Sequence, residues 1–369
     1  MTPMDLAASA QATAFALLTE TAATPNKLDI YRGVLTPRAL DAPQAESAAL
    51  ATGAAGHDLG WLRRVAVRGE DRFRWLSGMV TNTVHDLGDN RGTWNLVLNA
   101  QGRIQGDMTV WREGDNLELE IEAGQYERLL AHLERFIIMD DVELVPLTGE
   151  TALGLTGPAA HEVLERLGLP ILSEPMTSTR VEWNGVDLRV VRGYGTVAEH
   201  YGLWAPEAHI GKVWQYLRTA GAGQSGCVSL DAFRIAEGIP AYGADMVERD
   251  LPQETSQMRA LSFSKGCYLG QEIVERIRSR GNVHRHLRHL ELGEELVSEA
   301  PPAGTELFAD GVVAGQIRSA AALPLETGRR IFALAMMRAE AELREQIFSY
   351  SAGTASGTAR LLAEPPSFL

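Results

Sequence analysis

Cysteine is scarce: Cys227 and Cys267 are the two in 369 residues, and no CxxC motif occurs. Two thiols do not make a disulfide framework, and they cannot complete an all-cysteine zinc or iron–sulfur site within one chain. The scarcity fits a reducing compartment, so a cytoplasmic location is expected. Long apolar runs are missing too, since none approaches the roughly 20 residues that a membrane span needs. The opening stretch MTPMDLAASAQATAFALLTE lacks the basic start of a signal peptide and reads as a short amphipathic helix bracketed by Asp5 and Glu20. Basic charge is in deficit, with 34 Lys and Arg against 48 Asp and Glu. The net charge of −14 argues against a general nucleic-acid binder. What remains is an ordinary soluble composition, 45% hydrophobic and 22% charged, in a chain long enough for two or three domains.

Residues 37 to 56, rich in Ala, Pro and Gly, read as a connector. WLRRVAVRG then reads as a strand. Phe73, Leu76, Met79 and Val80 fall at helical spacing, with Asp71 placed to cap the start. TWNLVLN, IQGDMTVWR and DNLELEIE read as three strands, and YERLLAHLERFIIM as an amphipathic helix. The pattern recurs. GPAAHEVLERLGL predicts a helix, VEWNGVDLRVVRGYG a strand pair turning at Asn184-Gly185, and HIGKVWQYLRTAG a helix ended by Gly221. From about Val283 the pattern becomes short strands with Pro/Gly turns, broken by a helix-like stretch, IFALAMMRAEAELREQI. The expected division is an N-terminal helix and connector over 1–56, α/β structure over 57–282 and a β-rich domain over 283–369.

Four segments carry chemistry. In LNAQGRIQGDMTVW, Asp107 either bonds turn amides or faces a pocket where it could bind or deprotonate a ring nitrogen. In FRIAEGIPAYGADM, Arg234 stands among apolar residues and needs a partner if buried, either a residue such as Glu237 or a carboxylate ligand. In KGCYLGQE, Lys265 is near enough to favour a Cys267 thiolate, and Gln271 and Glu272 would open a helix after Gly270. The plainer reading of Cys267 is a buried structural residue. RIRSRGNVHRHLRH, residues 276–289, holds five arginines, three histidines and no acid. It suits an anionic ligand tail, an acidic partner, nucleic acid, or a solvated face paired with acids elsewhere.

WLRRVAVRGEDRFRWLSGMVTN, LNAQGRIQGDMTVW, FRIAEGIPAYGADM and KGCYLGQEIVER, in that order, resemble the YgfZ family of folate-binding proteins. That family lies within the superfamily of the glycine-cleavage T-protein, an aminomethyltransferase. The resemblance implies an α+β fold of three domains in a ring: two interleaved α/β domains and a C-terminal β-barrel, with tetrahydrofolate in the central channel. It implies that Asp107 lies near the folate and the transferred carbon, although Gly106 replaces the first of the two carboxylates common in the transferases. It further implies folate-binding roles for Glu199, Arg234, Lys265, Tyr268 and Gln271. Cys267 becomes a functional thiol at the channel rim. The implied function is a tetrahydrofolate-binding accessory protein for iron–sulfur cluster assembly or repair, with iron–sulfur client or assembly proteins as partners. The alternative is a folate-dependent aminomethyltransferase or demethylase.

Overall fold

The computed structural model describes residues 10–20, 27–281, 283–293, 299–342, 347–352 and 355–368. A hairpin of Leu28–Tyr31 (β1) and Val34–Pro37 (β2) precedes an 11-stranded sheet. One half of that sheet holds, in spatial order, Arg91–Leu98 (β5), Ile104–Glu113 (β6), Asn116–Glu122 (β7), Leu62–Arg68 (β4) and Glu143–Leu147 (β8). The other half runs Gly223–Gln224 (β13), Ala55–Asp58 (β3), Glu150–Gly157 (β9), Glu199–Pro206 (β12), Val186–Arg192 (β11) and Thr177–Trp183 (β10). The halves meet between β10 and β5 at a single register pair, Thr177 with Arg91. They interleave because β3 leaves the chain before the first half begins and pairs with β9 of the second. Each half has its own core. Helix Ala123–Glu134 buries Leu129, Leu130 and Leu133 on the first, and helices Ala160–Arg166 and Ile210–Thr219 cover the second.

The chain ends in a closed six-stranded barrel: Arg285–Leu292 (β14), Gly328–Arg338 (β17), Val312–Leu325 (β16), Glu306–Ala309 (β15), Ile347–Ala352 (β18) and Ala355–Leu361 (β19). The stretch expected to break it is mostly strand, with helix confined to Ala339–Glu342 and residues 343–346 outside the described residues. Its helix-like look has a cause. Ile331, Ala333, Ala335 and Met337 fill the barrel, while Phe332 on the opposite face packs under helix Cys227–Ala236. A strand buried on both faces loses its polar alternation.

Three further expectations need correction. Residues 43–52 of the expected connector form a helix, with Pro43 in its first turn. The helix after β7 stops at Glu134, leaving Ile138 and Met139 80% and 92% exposed. Asp71 stands at the start of helix Arg72–Met79 but makes no capping bond; it accepts the Asp141 N–H instead. The Asn184-Gly185 turn forms, with φ of 51° and 74°.

Candidate functional site

A cavity of about 300 Å³ opens where the two halves of the sheet meet. Trp94, Asp107, Trp111, Glu120 and Glu122 wall it from β5, β6 and β7. His57, Thr156, His200 and Trp204 wall it from β3, β9 and β12. A second cavity of about 550 Å³ shares Tyr31, Arg32, Glu122, Gln125 and Arg234 with the first and adds Arg128 and Tyr242. Arg32 is already paired, 2.8 Å from Glu122, whereas Arg128 is exposed and lies over the Tyr242 ring.

Asp107 faces the first cavity. Its Oδ2 accepts the Trp94 Nε1–H at 2.8 Å and its Oδ1 accepts Gln125 Nε2–H at 2.8 Å. Gln125 Oε1 in turn accepts the Asp107 backbone N–H at 3.1 Å. Two neutral donors thus aim the carboxylate without cancelling its charge. Gly106 faces the other way, as strand alternation requires. A Cβ there would stand 2.6 Å from Gln125 Oε1 and 2.8 Å from Leu129 Cδ2. The missing carboxylate at 106 therefore removes nothing that could point the way Asp107 points.

Nothing in the sequence marks the cation that shares Trp94 with Asp107. Arg259 Cζ lies 4.3 Å from the Trp94 ring centroid and 3.6 Å from that of Tyr194. No carboxylate lies within ion-pair distance of it among the described residues, and its one side-chain bond is to Gln257 at 3.4 Å. Burial pushes its pKa down to about 10, against the opposing fields of Tyr194 and Asp107. Its backbone is fixed by Asn82 Nδ2, which donates to both Arg259 O (2.8 Å) and Trp94 O (3.2 Å).

A chain of hydrogen bonds runs along the opposite wall. His57 Nδ1–H donates to Asp58 O at 3.2 Å, so Nε2 faces the Thr156 hydroxyl at 3.0 Å. Burial pushes the His57 pKa down to about 4, which keeps the ring neutral at pH 7. Thr156 Oγ1 meets His200 Nδ1 at 3.2 Å, and His200 Nε2 meets Glu237 Oε2 at 2.7 Å. Glu237 Oε1 accepts the N–H groups of Thr196, Val197 and Ala198 at 3.1 to 3.3 Å. Burial pushes this carboxyl upward, but His200 and the backbone donors outweigh it and hold the group below the usual carboxylate value. Glu237 thereby ties down the loop that carries Tyr194.

The family model described as the GCVT N-terminal domain matches residues 12–265. The chain belongs to the GCVT N-terminal domain family. It is 28% identical over 306 residues to an aminomethyltransferase of Geobacillus kaustophilus, covering 80% of this chain and 82% of the relative. It is 25% identical over 269 residues to a putative chloroplastic transferase of Arabidopsis thaliana, covering 71% and 60%. The structure is similar to that of the glycine cleavage system aminomethyltransferase T from Bartonella henselae, with a TM-score of 0.84 at 18% identity over 97% of this chain and 98% of that one.

Within this GCVT-family chain the residues singled out from sequence separate. Asp107 and Arg234 line the cavity. Arg234 is already engaged, with Nε on Asp231 (2.7 Å) and NH1 on Asp245 (2.6 Å) and Ile239 O (3.0 Å). Its partners are these two aspartates and not Glu237. Glu199 does not line the cavity; it accepts from Arg192 at 3.0 Å and from His161 N–H at 2.9 Å, and its strand neighbour His200 lines the wall instead.

The KGCYLGQE residues also lie outside the cavity lining. Lys265 Nζ donates to Ser77 O, Val80 O and Asn82 O at 2.6 to 2.8 Å, closing the C-terminal end of helix Arg72–Met79. Burial pushes its pKa down to about 8. Tyr268 is buried against Leu96, Leu98 and Ile104, and Gln271 Oε1 accepts the Tyr268 N–H at 3.3 Å. Gly270 has φ 82°, and a Cβ there would stand 2.5 Å from Asn99 O. Lysine, tyrosine and glycine therefore dock the loop on the first half of the sheet. Cys267 differs from them in being exposed, whereas Cys227 is buried with its pKa pushed up to about 12.

The basic stretch is largely paired. Arg285 bonds Asp250 and Glu254, Arg288 and His286 bond Glu342, and Arg278 bonds Glu275. Among the described residues no group of three or more His, Cys, Asp or Glu is arranged to hold a metal ion, and no helix is long and apolar enough to cross a membrane.

Proposed function

We propose that this chain binds tetrahydrofolate in the cavity and carries out folate-dependent one-carbon transfer of the aminomethyltransferase kind. The observation that supports this most is Asp107, an aimed carboxylate without an ion-pair partner at the junction of the two half-sheets. Its roles would be to orient the amine of the donor and to take its proton. The residues present fit the cofactor. Trp94, Trp111 and Tyr194 offer aromatic surface for a pterin, and the Asp107 carboxylate would suit an N–H at the folate's acceptor nitrogen, where the donor's amine also arrives. Arg128, exposed in the adjoining cavity, suits an anionic benzoyl-glutamate tail better than Arg234, whose donors are largely spent on Asp231 and Asp245. When bound, tetrahydrofolate supplies the nitrogen that accepts the one-carbon unit. Relatives named aminomethyltransferase and the shared fold favour this reading over a plain interaction protein. The test is tetrahydrofolate-dependent turnover of an aminomethyl or methylamine donor. Asp107→Asn should abolish it, and full activity in that variant would refute the role.

Cys267 supports a second reading. An exposed thiol in a firmly docked loop, away from the cavity, suits contact with another protein better than chemistry inside it. With the resemblance of KGCYLGQE to the YgfZ family, this points to an accessory role in iron–sulfur protein maturation, with folate bound alongside. Activity of cluster enzymes in a deletion strain carrying Cys267→Ser decides it. Full restoration excludes a thiol role.

A further inference from the structure

Arg259 and Asp107 are two opposite charges in the cavity that the protein itself leaves unneutralised. Glu120 has no ion-pair partner among the described residues either, but burial raises its pKa and disfavours its charged form. Arg32 is matched by Glu122, and Arg234 by Asp231 and Asp245. Among the described residues Arg259 and Asp107 have no ion-pair partner, and they do not pair with each other. Both are nevertheless referred to one indole: Asp107 accepts the Trp94 N–H while Arg259 packs against the Trp94 ring. The Asn82 amide locks the backbones of residues 94 and 259 together, and Tyr194, on the loop anchored by Glu237, closes on the guanidinium. This is a positioned pair of charges, not a loose surface arginine. A half-buried cation without a counter-ion is costly unless a ligand supplies one.

We propose that Arg259 and Asp107 form a binding site for a small amino acid, the guanidinium taking its carboxylate and the aspartate its ammonium. A simple amine would leave Arg259 unmatched, and a simple carboxylate would leave Asp107 unmatched; a zwitterion satisfies both. The guanidinium fork suits a carboxylate at two points. The inference rests on the one-carbon-transfer reading and gives its donor a class: an amino acid bearing the transferable carbon on nitrogen.

The test compares N-methylglycine with dimethylamine, the same amine without the carboxylate, by ligand-observed NMR titration of the full chain with and without tetrahydrofolate. N-methylglycine should bind about tenfold or more tightly than dimethylamine. Arg259→Met should erase that difference while leaving tetrahydrofolate affinity unchanged. Arg259→Lys, which keeps the charge and loses the fork, should retain part of it. Equal binding of the two amines to the wild type, or no binding of N-methylglycine under either condition, overturns the proposal without reference to any variant. So does an Arg259→Met variant that weakens tetrahydrofolate alone, since the arginine would then serve the cofactor. Tetrahydrofolate titrated by itself reports on the folate reading separately. Its failure to bind, beside an Arg259-dependent preference for N-methylglycine, would remove that reading and keep this site.

Discussion

Replacing Glu237 with glutamine should loosen one cavity wall without unfolding the chain. The wild-type carboxylate is fully buried and accepts four bonds, three from the N–H groups of Thr196, Val197 and Ala198 and one from His200. Glutamine keeps an acceptor for the backbone groups, but a neutral one, worth about 1 kcal/mol less per bond than a charged one. It also turns an NH₂ toward His200 Nε2, replacing a charge-assisted bond worth about 1.5–3 kcal/mol with a donor. The losses share one network and are not additive. Opening of residues 194–198 should become easier by about 2–4 kcal/mol, so exchange of the three amides should speed up by roughly 30- to 1000-fold. Amide hydrogen exchange at pH 6 reads this directly, with the barrel strands as an internal control. The pH dependence has a fixed sign. The Glu237 pKa is depressed in the folded state, so its contribution is complete above the unfolded value of about 4.3 and is lost as pH falls through the folded value. Wild type and variant should therefore converge in strong acid. Unchanged exchange at residues 196–198 would refute the assignment of Glu237 as the anchor of this loop.

A thiol titration of the native chain should label Cys267 quickly and leave Cys227 unreacted until denaturant is added; two fast thiols would contradict the burial of Cys227. Lys265→Met should lower stability by about 2–3 kcal/mol, because three carbonyls at a helix end lose a charged donor, while Cys267→Ser should leave the melting temperature unchanged. Gly270→Ala should cost about 1–3 kcal/mol in a denaturant titration, since alanine must adopt φ near 82° and its Cβ meets Asn99 O.

Strands β5 and β6 were legible because polar Thr93, Asn95, Gln105 and Thr109 alternate with apolar Trp94, Leu96, Ile104, Met108 and Val110, even though Asn95 and Val97 are buried as fully as Leu96. Strand β17 was not, because both its faces are buried by apolar side chains alone over residues 331–337, and helix Pro43–Thr52 was hidden by composition: its alanines look like linker until Pro43 is recognised as a helix start. Asp107 was legible as a carboxylate beside a Gly-rich turn. Arg259 was not, since nothing in SQMRAL marks an arginine that meets Trp94 and Tyr194 only in three dimensions. KGCYLGQE stands out for its cysteine, yet most of the motif serves docking: Lys265 as a clamp, Tyr268 as an anchor, Gly270 as a close approach. Of the readings open for the arginines after residue 275, pairing with acids elsewhere in the chain is the one found for Arg285 and Arg288, and the sequence could not name those partners, Asp250, Glu254 and Glu342.

The most direct measurement is calorimetric titration of the purified chain with tetrahydrofolate, run beside Asp107→Ala and Cys267→Ser. Wild type and Cys267→Ser should bind with equal affinity, and Asp107→Ala about tenfold or more weakly, as expected for loss of a charged partner. Absence of binding by the wild type, or binding that does not notice the loss of Asp107, would contradict the placement of folate in this cavity.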